Sequence, residues 1–188
     1  YDYSISLTEP IRSNRPDWKV ICGEEGDVRE INWKEIDEIP DVVHGGPPCQ
    51  PYSRSGGQRG EDDERDMVPE FTRAIMELKP TGFVMENVKG ILDNSFKSHL
   101  QKRFLGPLSV EYLIEHFVLS AIQFGVPQNR ERVFFIGVKK GVAKSISPPV
   151  PTHSGEANGL INTQGVRKWL GLDDSSPDDF APTLRSGM

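Results

Sequence analysis

Apolar positions in this chain come in short runs broken by glycine, proline and charge, and their spacing predicts alternating strands and helices. "WKVIC" (18 to 22) is a short apolar run, read as the first strand region, before the turn-like "GEEGD". "DVVHGG" (41 to 46) predicts a strand that ends in glycines. In "ERDMVPEFTRAIMELKP", Phe71, Ile75 and Leu78 are spaced for one helical face, and Pro80 stops the helix. "GFVMENV" (82 to 88) is the next strand. "SFKSHLQKRFL" (95 to 105) predicts a helix with Phe96, Leu100 and Phe104 on one face. "EYLIEHFVLSA" (111 to 121) and "RVFFIGVK" (132 to 139) are β-rich and could pair antiparallel. Such alternation argues for a doubly wound α/β sheet.

After residue 145 the texture changes. "SISPPVPTHSGEANG" is rich in Pro, Ser and Gly and reads as a connector. A short helix is expected over 163 to 170, and "DDSSPDD" reads as an acidic, solvated loop. No internal repeat is visible. The expected division is a partial catalytic domain over 1–144 and, over 145–188, a connector leading to a recognition region.

Composition narrows the function classes. A chain of 188 residues can bury one real core. At 36% hydrophobic and 27% charged it has ordinary soluble composition. No run is long and apolar enough for a membrane span, and no signal-peptide pattern opens the chain. Two cysteines far apart are a poor basis for a disulfide framework or a zinc site, so reduced thiols in an intracellular protein are expected. With a net charge of −6, nucleic-acid binding would need a local basic patch. Opening on YDYSISL without an initiator Met, the chain is expected to be a fragment or one piece of something larger.

In open α/β sheets ligands lie beyond the carboxyl ends of the strands. Asp27, the segment from Gly45 to Gln50, and the pair Glu86–Asn87 fall at such ends. Cys49 sits in "GGPPCQPYS", where Pro47 and Pro48 fix φ and remove N–H donors. Gly45 and Gly46 allow backbone to approach a ligand closely. A thiol held still yet accessible suits covalent catalysis; a buried packing cysteine is the bland alternative. Cys22 looks like an ordinary core cysteine by contrast. Glu86, following an apolar strand, would be partly desolvated, which favours the protonated carboxyl. A salt-bridged strand-end acid is the other reading. Arg130 and Arg132 in "QNRER" point the same way on an extended chain and could stabilise an anion or hold phosphates; they could also be protective charges of an edge strand. The long loop "PYSRSGGQRGEDDER" places Ser53, Arg54, Ser55, Gln58 and Arg59 where they could grip phosphates, unless it is plain surface loop.

Taken together, "GD" at 26 to 27, "GGPPCQPYSRSGGQRG" at 45 to 60, "MENVKG" at 85 to 90 and "FGVPQNRERVFFIG" at 124 to 137 resemble the cytosine-C5 DNA methyltransferase family. The match covers roughly residues 14 to 140, and "SPPVPTH" and "APTLRSG" resemble the family's connector. The resemblance implies an incomplete doubly wound sheet of the S-adenosylmethionine-dependent methyltransferase type. Cys49 would be the nucleophile that adds to C6 of a flipped-out cytosine, and Glu86 would hydrogen-bond or protonate N3. Arg132, with Arg130 beside it, would orient Glu86 and the base. Asp27, Val28, Pro48 and Val68 would line the S-adenosylmethionine site. Gln50, Ser53, Arg54 and Ser55 would meet double-stranded DNA.

The implied enzyme is a bacterial restriction-modification methylase in the cytoplasm, associated with the nucleoid. A tRNA cytosine-C5 methyltransferase and a non-catalytic regulatory homologue are the rival readings. Zinc-dependent deamination and disulfide exchange are disfavoured, because PCQP lacks a second cysteine and CxxC is absent. The family's glycine-rich cofactor loop does not occur in the sequence, so activity is expected to need further segments, in a second polypeptide or a longer chain.

Overall fold

Four strands form the main sheet: β1 (Val42–Gly45), β2 (Gly82–Asn87), β3 (Tyr112–Ser120) and β5 (Glu131–Lys139). Their spatial order is β1-β2-β5-β3, with β1 parallel to β2 and the other two pairs antiparallel. The computed structural model describes residues 1–53, 60, 63–154, 161–162 and 181–182. The expected helix over 163 to 170 and the acidic loop after it lie outside those residues, as do Arg54, Ser55, Gln58 and Arg59.

Side chains alternate across a strand, and here the alternation separates a packed face from a site-bearing one. Phe83, Met85, Val133 and Phe135 point inward and are fully buried. They meet the helix α2 (Val68–Leu78) and the helical stretch α3 (Lys97–Leu100), a π turn (Gln101–Leu105) and α4 (Gly106–Leu108). Every strand residue in the core clusters comes from this one face. Val84, Phe117, Phe134 and Ile136 project from the other face and are only half-buried.

The helix over 68–78 forms for the expected reasons. Pro69 stands in its first turn, where a missing N–H costs nothing. Lys79 closes it in the left-handed region at φ 50°, its N–H on the Ile75 carbonyl at 2.9 Å, and Pro80 follows. Val68, Ile75 and Leu78 are buried, with Phe71 packed at the margin. The second helical stretch buries Phe96, Leu100 and Phe104 as their spacing predicts. Phe83, Phe104, Phe135 and Tyr112 make edge contacts with centroids 5.3 to 5.9 Å apart. Such pairs add about 0.5–1.5 kcal/mol each beyond area burial. The antiparallel pair expected from the two β-rich runs is β3 with β5.

Two segments depart from expectation. Residues 18 to 22 form no ladder strand. The segment makes one bridge, Asp2 to Cys22, with the Asp2 N–H on the Ile21 carbonyl at 3.1 Å. A strand needs a continuous partner, and the neighbour here is a helix, α1 (Ile5–Asn14), whose Arg12 donates to the Val20 carbonyl at 3.2 Å. That helix itself was not foreseen, since Pro10 lies inside it and Ile5, Leu7 and Ile11 stay exposed. Further on, a two-residue strand β4 (Gln128–Asn129) pairs with β8 (Ala181–Pro182), and β6 (His153–Ser154) with β7 (Ile161–Asn162). No helix among the described residues is long and apolar enough to cross a membrane.

Gly137 shows how tightly the inner layer is packed, because a Cβ there would overlap the Phe83 ring. Gly137→Ala is expected to destabilise the folded protein by about 1–3 kcal/mol, the usual cost of overpacking a core. Urea unfolding measures this, and an unchanged midpoint would contradict the packing.

Candidate active site

Because β1 and β2 run parallel in register, Gly45 beside Met85, their carboxyl ends emerge together. The chain leaving β1 forms a strap over this edge, and the chain leaving β2 begins with Glu86 and Asn87. Asn87 is fully buried and donates from Nδ2 to the Pro47 carbonyl at 3.2 Å. One end of the strap is thereby tied to β2.

Cys49 is half-buried and unbridged, at φ −86° and ψ −10°, where it opens a single 3-10 turn (Gln50–Tyr52). The turn closes with the Tyr52 N–H on the Cys49 carbonyl at 3.0 Å. Pro48 lies beside it, half-exposed. The glycines before it serve packing as much as access. A Cβ on Gly45 would meet the Phe71 ring at 2.9 Å, so this glycine belongs to the contact with α2, which corrects the expectation of a ligand-facing role. A Cβ on Gly46 would lie 3.6 Å from Glu86 Oε2, so the strap backbone passes directly over that carboxylate.

Glu86 is partly buried, and of the two readings it takes that of a salt-bridged acid at a strand end. Its side chain is 34% exposed and carries an ion pair, Oε1 lying 3.0 Å from Arg132 Nε and 3.8 Å from Arg130 Nη2. The register explains this: Glu86 faces Phe134, and Arg132, two residues earlier on β5, lies on the same face of the sheet. That face lies opposite the helical layer. Arg132 is the better buried of the two arginines, and its Nη1 also donates to the Glu131 carbonyl at 2.8 Å. Thiol strap, carboxylate and guanidinium are therefore gathered at one strand edge from segments far apart in sequence.

The remaining expected residues belong to other turns and elements. Asp27 caps a 3-10 turn (Gly23–Gly26), and its carboxylate is forked by Arg29, with Nε–Oδ1 at 2.9 Å and Nη2–Oδ2 at 2.5 Å. Hydrogen bonds from the Arg29 side chain, then from its backbone, hold the Asp27 carboxyl down at about 2. Val28 is half-buried against the cluster of Trp33, Ala74 and Leu78. Arg73 clamps this segment to α2, donating to the carbonyls of Val28 at 2.6 Å and Ile31 at 2.8 Å. Sequence reasoning passed over Arg73, whose i,i+3 and i,i+4 spacing to Glu70 and Glu77 suggests only surface pairing. Val68 is fully buried in the core, its N–H on Asp66 Oδ1 at 3.1 Å, so its side chain faces packing partners. Gln50 is half-buried, and its Oε1 has no partner among the described residues. Ser53 follows the turn, half-buried. Cys22 is half-buried with Arg12 Nη2 at 3.2 Å from Sγ, which is not the plain core cysteine expected. Among the described residues no group of three His, Cys, Asp or Glu side chains is placed to hold a metal.

The model of the C-5 cytosine-specific DNA methylase family matches residues 12–171. The Type II methyltransferase M.NgoMIV of Neisseria gonorrhoeae is 40% identical over 95% of this chain and 58% of its own length. The Type II methyltransferase M.AquIA of a Picosynechococcus strain is 40% identical over 79% of this chain and 64% of its own length. This chain thus spans little more than half of such relatives. In fold, it is similar to a solved Spodoptera frugiperda DNMT2 mutant, with TM-score 0.63 at 17% identity over 93% of this chain and 53% of that one.

The Asp27 carboxyl is expected to titrate near 2, and to rise only part of the way toward its ordinary 3.8 in Arg29→Ala, where the bond from the residue-29 N–H remains. The shift is downward, so the fork is complete above about pH 4 and is lost as pH falls through the folded value. Carboxyl NMR measures both, and a wild-type midpoint near 3.8 would contradict the geometry.

Proposed function

Because the chain belongs to the C-5 cytosine-specific DNA methylase family, we propose that it carries the catalytic centre of a restriction-modification methylase acting on C5 of cytosine in duplex DNA. The observation that carries this reading is the meeting of the Cys49 strap with Glu86 and its arginines at one strand edge.

In this reading Cys49 attacks as thiolate, forming a bond between Sγ and C6 of a cytosine swung out of the helix. Glu86 shares a proton with N3, which accepts the electron density displaced from C6. Arg132 holds Glu86 by Oε1, leaving Oε2, beside Gly46, to face the base. C5 is then enamine-like and takes the methyl group; loss of the C5 proton expels the thiolate and restores the ring. Arg130, 3.8 Å from the same oxygen, adds positive charge at the mouth. Gln50 and Ser53 start the loop that would meet DNA, and Arg54 and Ser55 continue it.

S-adenosylmethionine, where bound, supplies the methyl on a sulfonium. The residues present fit its adenosine end: Asp27 offers an acceptor for an exocyclic amine, and Val28 offers an apolar side chain backed by Trp33. Arg29 would have to yield at least one Asp27 oxygen on binding. Pro48 would border base and cofactor. Val68, being fully buried, would contribute through the start of α2 that it anchors. The rest of the cofactor site would come from segments beyond this chain, in a longer chain or a second polypeptide. The division near residue 144 and a bacterial, cytoplasmic location belong to the same proposal.

The test is methyl transfer by the full-length protein, with duplex DNA and tRNA as competing substrates. Duplex DNA is expected to be methylated at cytosine C5, and Cys49→Ser to lower the rate by at least about a thousandfold, as loss of a nucleophile does. Transfer to tRNA alone, or an undiminished Cys49→Ser rate, would overturn it.

A further inference from the structure

The far end of the strap is held by a buried polar chain that the reaction does not use. Tyr52, three residues after Cys49, is 1% exposed. Its Oη donates to Asp66 Oδ1 at 2.7 Å. Asp66 Oδ2 lies 2.8 Å from His99 Nε2, and both of these side chains are 6% exposed. Asp66 Oδ1 also accepts from the Val68 N–H, so the same carboxylate seats the start of α2. The Tyr52 ring packs edge-on against Phe96 at 5.2 Å, and its carbonyl abuts Gly90, where a Cβ would not fit. Burial, then the bond to Asp66, pushes the phenol far above its ordinary range, so it stays a donor.

The surroundings make this polar chain stand out. Phe96, Leu100 and Phe104 fill the same layer with apolar side chains. Replacing a buried polar cluster by apolar residues of similar volume is commonly neutral or stabilising. A hydrogen-bonded chain differs in fixing direction, since each partner admits a narrow range of positions. The strap it fixes is short, carries Cys49 three residues from Tyr52, and is also tied to β2 by the Asn87 bond at Pro47.

We propose that Tyr52, Asp66 and His99 are positioning residues that set the placement of Cys49. The proposal rests on Cys49 being the nucleophile. A displacement of about 1 Å at a reacting atom can cost up to about a hundredfold in rate, so loosening this anchor should be visible in the chemical step.

The experiment uses the full-length protein, S-adenosylmethionine and duplex DNA containing 5-fluorocytosine, and reads the rate of covalent adduct formation. Alkylation of Cys49 by iodoacetamide across a pH series, in a Cys22→Ser background, is the readout independent of turnover. Tyr52→Phe removes one oxygen and is expected to slow adduct formation about tenfold at saturating DNA and cofactor, with KM values within about twofold. Its Cys49 alkylation profile is expected to differ from that of the parent. Asp66→Ala should do at least as much, and Asp66→Asn, which can still accept from Tyr52 and Val68 and donate to His99, should recover most of the rate. Tyr52→Phe with parental rate and alkylation, or a change in thermal stability alone, would overturn the proposal while leaving Cys49 as nucleophile. Asp66→Asn as slow as Asp66→Ala would overturn the hydrogen-bonded account. Adduct formation by Cys49→Ala would instead overturn the assignment of the nucleophile.

Discussion

Val43 pairs with Phe83 and Gly45 with Met85, and this parallel register determines what the strap can reach. Parallel strands release their chains at the same edge. The residues after Gly45 therefore pass beside the residues that end β2, and Asn87 can bond Pro47. Antiparallel pairing of β2 with β5 then brings in Arg132 from the opposite direction, on the face that Glu86 occupies. Shift either register by one residue and Glu86 would point into the aromatic layer, where an unpaired carboxylate would be costly.

The two sheet faces do different work. The inner one is filled with Phe83, Met85, Phe135 and the helices, and it makes the strands rigid. The outer one carries Glu86 and Arg132 among half-buried Val84, Phe134 and Ile136. The charged pair needs water or a ligand nearby, and the inner layer could supply neither. The strap joins the two regions: its backbone at Gly46 passes beside the Glu86 carboxylate, while Tyr52 reaches back into the core.

How much of this could be read from the sequence follows from the range of each signal. Phe71, Ile75 and Leu78, and Phe96, Leu100 and Phe104, repeat at helical spacing, so both helical stretches were readable. Alternating burial in β2 and β5 follows from apolar strand runs in the same way. Residues 18 to 22 have strand composition but find only Asp2 beside them, and composition cannot supply a partner. Gly45 looked like an opening for a ligand, because the Phe71 ring that fills the space lies in another element. The pairing of Arg132 with Glu86 was anticipated from motifs, and its geometry depends on cross-strand register, which no local pattern encodes. Asp66 and His99 stand 33 residues apart, and each alone is an ordinary polar residue near a helix.

The account stands on Cys49 being the atom presented at this edge. Its most direct test is peptide mapping by mass spectrometry after the full-length protein has been trapped on duplex DNA containing 5-fluorocytosine. The account predicts a single nucleotide-bearing peptide containing Cys49, and the same adduct greatly slowed in Glu86→Ala. A nucleotide found on Cys22 or another side chain, or no adduct despite methylation of ordinary DNA, would contradict it.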